Sequence, residues 1–175
     1  MLRLGRCADV LYSSLASIHY PDVTVRITTT LSKISMAFFL LADHILWIGR
    51  SGLCAVNTNK WSRVSNKYWL YGLILNLIRD LYEINRILKA RSSGLCGDPQ
   101  FALAKTPIKE TVAMFCRDHK DVVVDTVKNA CDVLIPLTAL GHLNLSPGFV
   151  GLLGAISSIA GIMSIIDPVA KLTPS

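Results

Sequence analysis

Charged side chains are scarce in this sequence. They make up 17% of its 175 residues while hydrophobic residues make up 51%, and soluble domains carry about 25% charged residues. Among the charged residues, acidic ones are less frequent than basic ones, with 12 Asp and Glu against 18 Lys and Arg. Nucleic-acid binding would require the basic residues to cluster with stacking aromatics, whereas here they are spread between apolar runs. The composition therefore predicts a membrane protein whose cations face anionic lipid head groups.

Signatures of catalysis and of metal binding are also missing. The sequence contains no P-loop, HExxH or GxSxG motif. Asp43 and His44 stand side by side in an apolar run, but helix neighbours point about 100° apart and no nucleophile accompanies them. Cys116 and His119 supply only half of the ligands that structural zinc requires. We therefore predict no catalytic residue, no cofactor, no metal and no nucleic-acid partner, and thus a protein that is not an enzyme.

The first predicted element is an amphipathic helix on the membrane surface, within residues 1–20. Apolar residues recur there at helical spacing, and Pro21 ends the pattern. Such a helix either packs on a protein core or lies in the head-group plane with its arginines toward phosphates. On the second alternative, the residues that insert are Leu4, Leu11, Leu15 and Ile18, and those that contact head groups are Arg3 and Arg6.

Residues 21–90 are predicted to form an apolar helical pair around a basic loop at 50–67. The loop carries four cations and no acid, so the positive-inside rule predicts that it faces the cytosol. The apolar segments 34–49 and 69–84 either cross the bilayer or lie along it. Polar residues of the second helix, among them Arg79, Asp80 and Glu83, form either a solvated face or a seam between helices.

The remaining chain is predicted as a linker at 91–109, an amphipathic helix at 110–137 that Pro136 kinks or ends, and a transmembrane helix at 146–168. The last contains 18 consecutive uncharged residues, which as a helix nearly match the roughly 30 Å hydrocarbon core. Its alternative is a buried glycine-rich helix of a soluble core. Small residues share one of its faces, as in helices that associate within lipid. The predicted self-association residues are Gly148, Gly151, Gly154, Ala155, Ser158 and Gly161.

The predicted fold class is therefore an all-α integral membrane protein with amphipathic helices and a C-terminal glycine-faced transmembrane helix. With these elements placed, the sequence resembles the peroxisomal membrane protein 11 family, the peroxisome-proliferating peroxins, and in particular its alpha and beta vertebrate-type members. The matching stretches follow family order over nearly the whole chain. They are LRLG at 2–5, LADHILWIGRSGL at 41–53, KW at 60–61, LNLIRDLYEI at 75–84, VVVDTVKNACDVLIPL at 122–137, LGHL at 140–143 and SPGFVGLLGAISSIAGI at 146–162.

The resemblance implies an integral protein of the peroxisomal membrane that elongates and curves the membrane before fission. It also implies a homo-oligomer that cooperates with the fission machinery, including a dynamin-like GTPase and its tail-anchored adaptors. In the family an amphipathic helix inserts into one leaflet, and the segment beginning at Leu2 is similar to part of it. The family carries several dozen residues before this point, so the chain is expected to lack that N-terminal extension.

Two other functions are compatible with the sequence. Family members have been proposed to form metabolite pores, in which Asp43, Arg79, Asp80 and Glu83 would face water inside an oligomer. A pore predicts unitary currents in a planar bilayer that Asp80→Asn alters. A protein that only inserts an amphipathic helix into one leaflet predicts no such currents. A soluble helical adaptor, the third possibility, would be extracted from membranes by carbonate.

Overall fold

The computed structural model describes residues 4–94 and 119–166, and these residues form five α-helices and no strand. Each helix packs on the one that follows it in the described chain. The order is α1 (Leu4–Ser17), α2 (Val23–Arg50), α3 (Thr58–Gly94), α4 (Lys120–Ala139) and α5 (Pro147–Ile166). The predicted all-α class is confirmed. Arg3, Cys116 and residues 95–118 and 167–175, which include most of the predicted linker, lie outside the described residues.

Asp22 sets the start of α2 and ties it to α3. Its carboxylate accepts the N–H of Thr24 at 3.0 Å, as an N-cap residue does. The hydroxyl of Tyr82 donates to the same carboxylate at 2.9 Å, and this hydrogen bond holds the pKa of Asp22 below its ordinary value. At the other end of α2, Gly52 takes the left-handed conformation, with φ at 78°, that reverses the chain toward α3.

The predicted basic loop is shorter than residues 50–67, because α3 begins at Thr58. Only residues 51–57 connect the two helices, and Lys60, Arg63 and Lys67 lie on the first turns of α3. The side chain of Asn57 accepts the N–H of Lys60 at 3.2 Å and so caps the new helix. This stretch is polar and lacks apolar periodicity, which is why its sequence resembles a loop.

Pro136 does not end α4, which runs on to Ala139, and the alternative, a kink at Pro136, stays a prediction. A proline inside a helix removes one backbone hydrogen bond, and the surrounding turns remain bonded, with Leu140 N–H donating to Pro136 O at 2.9 Å. Gly141, whose φ is 82°, follows the C-cap residue Leu140 and turns the chain away from the helix. There the N–H of His142 donates to Leu137 O at 3.0 Å, in the manner of a glycine C-cap.

Many large apolar side chains face outward from this helical array, and many small or polar ones are buried. The buried positions of α2 are Val25, Thr28, Thr29, Ser32, Ala37, Leu40, Ala42 and Leu46. Five of these eight are small or polar residues. Soluble proteins bury their large apolar residues preferentially, whereas helices that associate within lipid approach through small ones. The packing is therefore that of a membrane protein.

Candidate membrane interface and polar cleft

Helix α1 leaves its apolar stripe uncovered. Leu11 and Leu15 expose 46% and 58% of their surface. Ile18, in the turn directly after the helix, exposes 48% and continues the stripe. The side that meets α2 carries Ser14 and Ser17, both buried. The exposed stripe coincides with the predicted inserting face. Leu4 begins the helix but its side chain is outside the described part, as is Arg3; Arg6 is exposed.

A lysine of α2 holds the polar side of α1. The ammonium group of Lys33 donates to Ser13 O at 2.8 Å and to Ser17 Oγ at 2.5 Å. It lies at the C-terminal end of α1, where a positive charge is favoured by the helix dipole. Nearer the other end, the thiol of Cys7 donates to Ala37 O at 3.5 Å. The sequence offered no signal of the two partners of Lys33, which lie 16 and 20 residues away.

Apolar stripes also run along the outer sides of α2 and α3. On each helix a set of exposed large residues recurs at spacings of three, four or seven positions and so lies on one side. On α2 they include Val23, Ile27, Leu31, Phe38 and Leu41, and on α3 they are Tyr71, Ile74, Ile78, Leu81 and Leu88. Soluble monomers rarely expose contiguous apolar surface of this extent. These stripes are suited to contact with lipid chains.

Two of the described helices are long and apolar enough to cross a bilayer. They are Val23–Arg50 and, within α5, Pro147–Ser164. A core helix of a soluble protein passes the same test but is mostly buried. Here only 28% and 17% of the respective windows are buried inside the protein. The soluble-core alternative for the C-terminal helix is therefore disfavoured.

A charged cluster joins α3 to α4 at Arg79, Asp80, Asp125 and Asn129. The guanidinium of Arg79 donates to Asp80 Oδ1 at 2.7 Å and also bonds Asp125 Oδ2. Asn129 Nδ2 donates to Asp80 Oδ2 at 2.7 Å, and the Asp80 side chain is 0% exposed. Of the two alternatives for this face of α3, the structure shows the seam between helices. The same contacts give Arg79 and Asp80 partners within one chain. Whether these residues also face water inside an oligomer, as a metabolite pore requires, stays a prediction.

Asp43 and His44 have different surroundings. Asp43 is exposed, while the Nδ1–H of the half-buried His44 donates to Leu40 O at 2.5 Å in its own helix. The two side chains thus do not converge on a common point, as the sequence indicated from their spacing.

The small-residue face of α5 is divided between two environments. A methyl group added to Gly154 or Gly161 would lie 4.0 Å from Ile135 Cδ1 or Lys128 Cε of α4, respectively. The part covered by α4 is centred on Leu153, Ser157 and Ala160, all buried. The outward part, which we call the outer small stripe, consists of Gly148, Gly151, Ala155 and Ser158. Added methyl groups at its two glycines would meet open space.

A cleft of about 410 Å³ lies among α1, α2, α3 and α4. Its charged lining comprises Lys33, Arg79, Lys128 and Asp132. An apolar wall adjoins them, formed by Met36, Tyr68, Trp69 and Leu73. The size falls within the range of small-molecule sites. Sequence reasoning did not find this cleft, because its lining residues come from four separate segments.

Outward apolar stripes, buried polar contacts and two span-length helices define an all-α integral membrane protein that carries an amphipathic helix. Its residues 1–166 match the family model described as Peroxisomal biogenesis factor 11 (PEX11). The chain belongs to this family. The predicted family resemblance is thereby confirmed.

The chain is similar to several curated members. It is 37% identical over 202 residues to Peroxisomal membrane protein 11B of Homo sapiens, covering 99% of this chain and 78% of that protein. It is 32% identical over 185 residues to Peroxisomal membrane protein 11A of Homo sapiens, covering 97% and 75%. A more distant relative, the Peroxisomal membrane protein 11 homolog of Dictyostelium discoideum, is 23% identical over 164 residues, covering 85% and 65%. No solved structure matches the chain significantly.

Family membership makes the chain a peroxisomal membrane protein involved in peroxisome proliferation. The family is one of biogenesis factors and not of enzymes.

Proposed function

We propose that this protein elongates and curves the peroxisomal membrane by inserting the apolar stripe of α1 into one leaflet. The observation that carries the proposal is that Leu11, Leu15 and Ile18 are exposed while the opposite, polar side of α1 is docked on α2. Removing such side chains from water stabilises by about 1.5–3 kcal/mol each when burial is complete. The stripe therefore favours a lipid environment over an aqueous one.

Insertion on one side is what converts this affinity into curvature. A helix whose apolar side reaches only into the head-group and upper acyl region expands that leaflet relative to the other. Arg6, exposed on the same helix, and Arg3, by the sequence pattern, would contact lipid phosphates. Because Lys33 ties α1 to α2, the wedge remains attached to a helix long enough to span the membrane.

The direct test is to reconstitute the full chain into liposomes containing an anionic phospholipid and to image them by electron microscopy. We expect tubules at protein densities at which liposomes without the protein remain spherical. Liposomes of phosphatidylcholine alone should tubulate less, because zwitterionic head groups carry no net negative charge to attract the arginines. Spherical anionic liposomes with fully incorporated protein would contradict the proposal.

Self-association through the outer small stripe would concentrate these wedges. The stripe is outward-facing, and its glycines have open space beyond them, so a second helix could approach closely there. The other two residues of the predicted face, Gly154 and Gly161, already meet α4 and are less available to another chain.

Gly151→Ile should weaken self-association about tenfold, because a branched side chain on the stripe separates the two helix backbones. Fluorescence resonance energy transfer between labelled chains in liposomes measures the strength of self-association. Met163→Phe is the matched control, since Met163 is exposed on α5 outside the stripe and the change also adds bulk. Equal energy transfer in Gly151→Ile and wild type would remove the stripe from the interface.

We also propose that residues 51–57 and the basic first turns of α3 face the cytosol. The exposed cations Arg50, Lys60, Arg63 and Lys67 lie around this connection, as the positive-inside rule favours. Trypsin added to intact peroxisomes should cleave the chain after Arg50, at the edge of the exposed segment. Cleavage that requires prior detergent treatment would instead place this segment in the lumen.

The fission machinery is the proposed partner, on the basis of the family resemblance. A dynamin-like GTPase or its tail-anchored adaptor should co-float with liposomes that carry the full chain. Flotation no greater than with protein-free liposomes would count against a direct contact.

A further inference from the structure

We propose that the cleft among α1, α2, α3 and α4 binds the phosphate head group of one anionic phospholipid. The proposal assumes the membrane location of the chain but not its ability to bend the membrane. It concerns a discrete site inside the helical array, separate from the lipid surface that α1 contacts.

Two cations in the cleft have no carboxylate partner among the described residues. Arg79 is already paired with Asp80 and Asp125. Lys33 donates only to the neutral atoms Ser13 O and Ser17 Oγ, which leaves one of its three N–H donors available. Lys128 has no hydrogen bond or ion pair within the described part of the chain. Cations withdrawn from water favour a counter-ion, and an anion in the cleft would supply one.

Thr29 provides an independent indication of a ligand. Its side chain lines the cleft and is only 5% exposed, yet its hydroxyl has no hydrogen-bond partner. A buried hydroxyl without a partner costs free energy. A phosphate oxygen can accept a hydrogen bond from this hydroxyl and a second one from a lysine, since it has more than one lone pair.

The apolar wall indicates that the anion belongs to a lipid. Met36, Tyr68, Trp69 and Leu73 line the cleft beside the cations, and free inorganic phosphate would gain nothing from them. The most apolar part of α2, residues 34–49, begins directly after Lys33. If α2 crosses the bilayer, Lys33 therefore lies near the edge of the hydrocarbon layer, where head groups are found. Basic pockets between membrane helices are known to hold phospholipid head groups.

Asp132 is the one opposing charge among the lining residues. It follows Lys128 by one helical turn. Its carboxylate should weaken the binding of any anion, so Asp132→Asn should strengthen it. Simple damage to the fold would not produce a gain of affinity.

The test uses the full chain in phosphatidylcholine nanodiscs that contain a minor fraction of phosphatidic acid. Native mass spectrometry after release counts the phosphatidic acid that each chain retains, and titration gives its affinity. We expect one retained molecule. Thr29→Val and Lys128→Gln should each lower the affinity about five- to tenfold, as the loss of a charge-assisted hydrogen bond does, whereas Asp132→Asn should raise it severalfold.

Thr30→Val is the matched control, because the hydroxyl of Thr30 also lacks a partner but does not line the cleft. Its affinity should equal that of wild type. The proposal would be overturned if Thr29→Val and Thr30→Val lost the same affinity for phosphatidic acid. It would also be overturned if the chain retained phosphatidylcholine to the same extent as phosphatidic acid. Displacement by inorganic phosphate at concentrations comparable to the lipid would assign the cleft to a free anion and likewise overturn it. Tubulation by Thr29→Val should match wild type, so a failure of bending and a failure of this site are distinguishable.

Discussion

Replacing Leu11 and Leu15 together by aspartate abolishes the expected tubulation of anionic liposomes by the reconstituted protein. Both side chains are about half exposed on α1, and insertion can bury only the exposed part. Burying that part contributes roughly 1 kcal/mol for each leucine, about half of the value for a fully exposed side chain. Losing both contributions lowers the membrane partition of the helix by roughly tenfold to a hundredfold. The added negative charges are also repelled by anionic lipid.

Ala16→Asp is the control for this pair. Ala16 is exposed on α1 but lies away from the stripe on the helical wheel, beside Asp9. The control adds a charge to the same helix without removing the inserting face, and it should tubulate nearly as wild type. Tryptophan fluorescence and circular dichroism would verify that all three proteins incorporate with equal helix content. Tubulation by the double variant at the wild-type level would show that another segment generates curvature.

Asp80→Ala should lower the free energy of unfolding by about 1–3 kcal/mol, the cost of leaving a buried polar group without its hydrogen-bond partner. In this variant Arg79 keeps Asp125, but Asn129 loses its acceptor. Asp80 is completely buried, so water cannot readily replace the lost contacts. A denaturant titration in detergent micelles, followed by circular dichroism, measures the change.

Asp43→Ala is the matched control, since Asp43 is an exposed carboxylate on α2 and surface substitutions usually stay within about 0.5 kcal/mol. Asp80→Asn should fall between the two, because the amide oxygen can still accept a hydrogen bond while the charge is lost. If Asp80→Ala and Asp43→Ala unfold at the same denaturant concentration, the α3–α4 cluster does not stabilise the array.

The sequence located local features. Helical periodicity marked the apolar stripe of Leu11, Leu15 and Ile18, which is exposed in the structure and whose insertion into lipid stays a prediction. The absence of charge marked the C-terminal helix. Both depend on residues a few positions apart, which a helix places at fixed angles around its axis. One error was local too, because the polar stretch after Asn57 lacks the apolar repeat that signals a helix. Of the two alternatives for Pro136, the structure excludes the end of the helix, since a single missing N–H leaves the neighbouring turns bonded.

Contacts between distant segments required the tertiary structure. Arg79 and Asp125 are 46 residues apart, and Lys33 and Ser17 are 16 apart. No periodicity in the sequence relates them. The division of the α5 small face, in which Gly154 meets α4 while Gly151 remains open, is of the same kind.

The sequence by itself determined the membrane class, the family and the faces of the amphipathic helices, because hydropathy and spacing fix what each side of a helix prefers. Only the tertiary structure decided which neighbour covers each side. A helical wheel gives the direction of a side chain around its own axis but not the helix that lies in that direction. The cleft with Lys33, Lys128 and the unpartnered Thr29 hydroxyl exists only because four helices meet there.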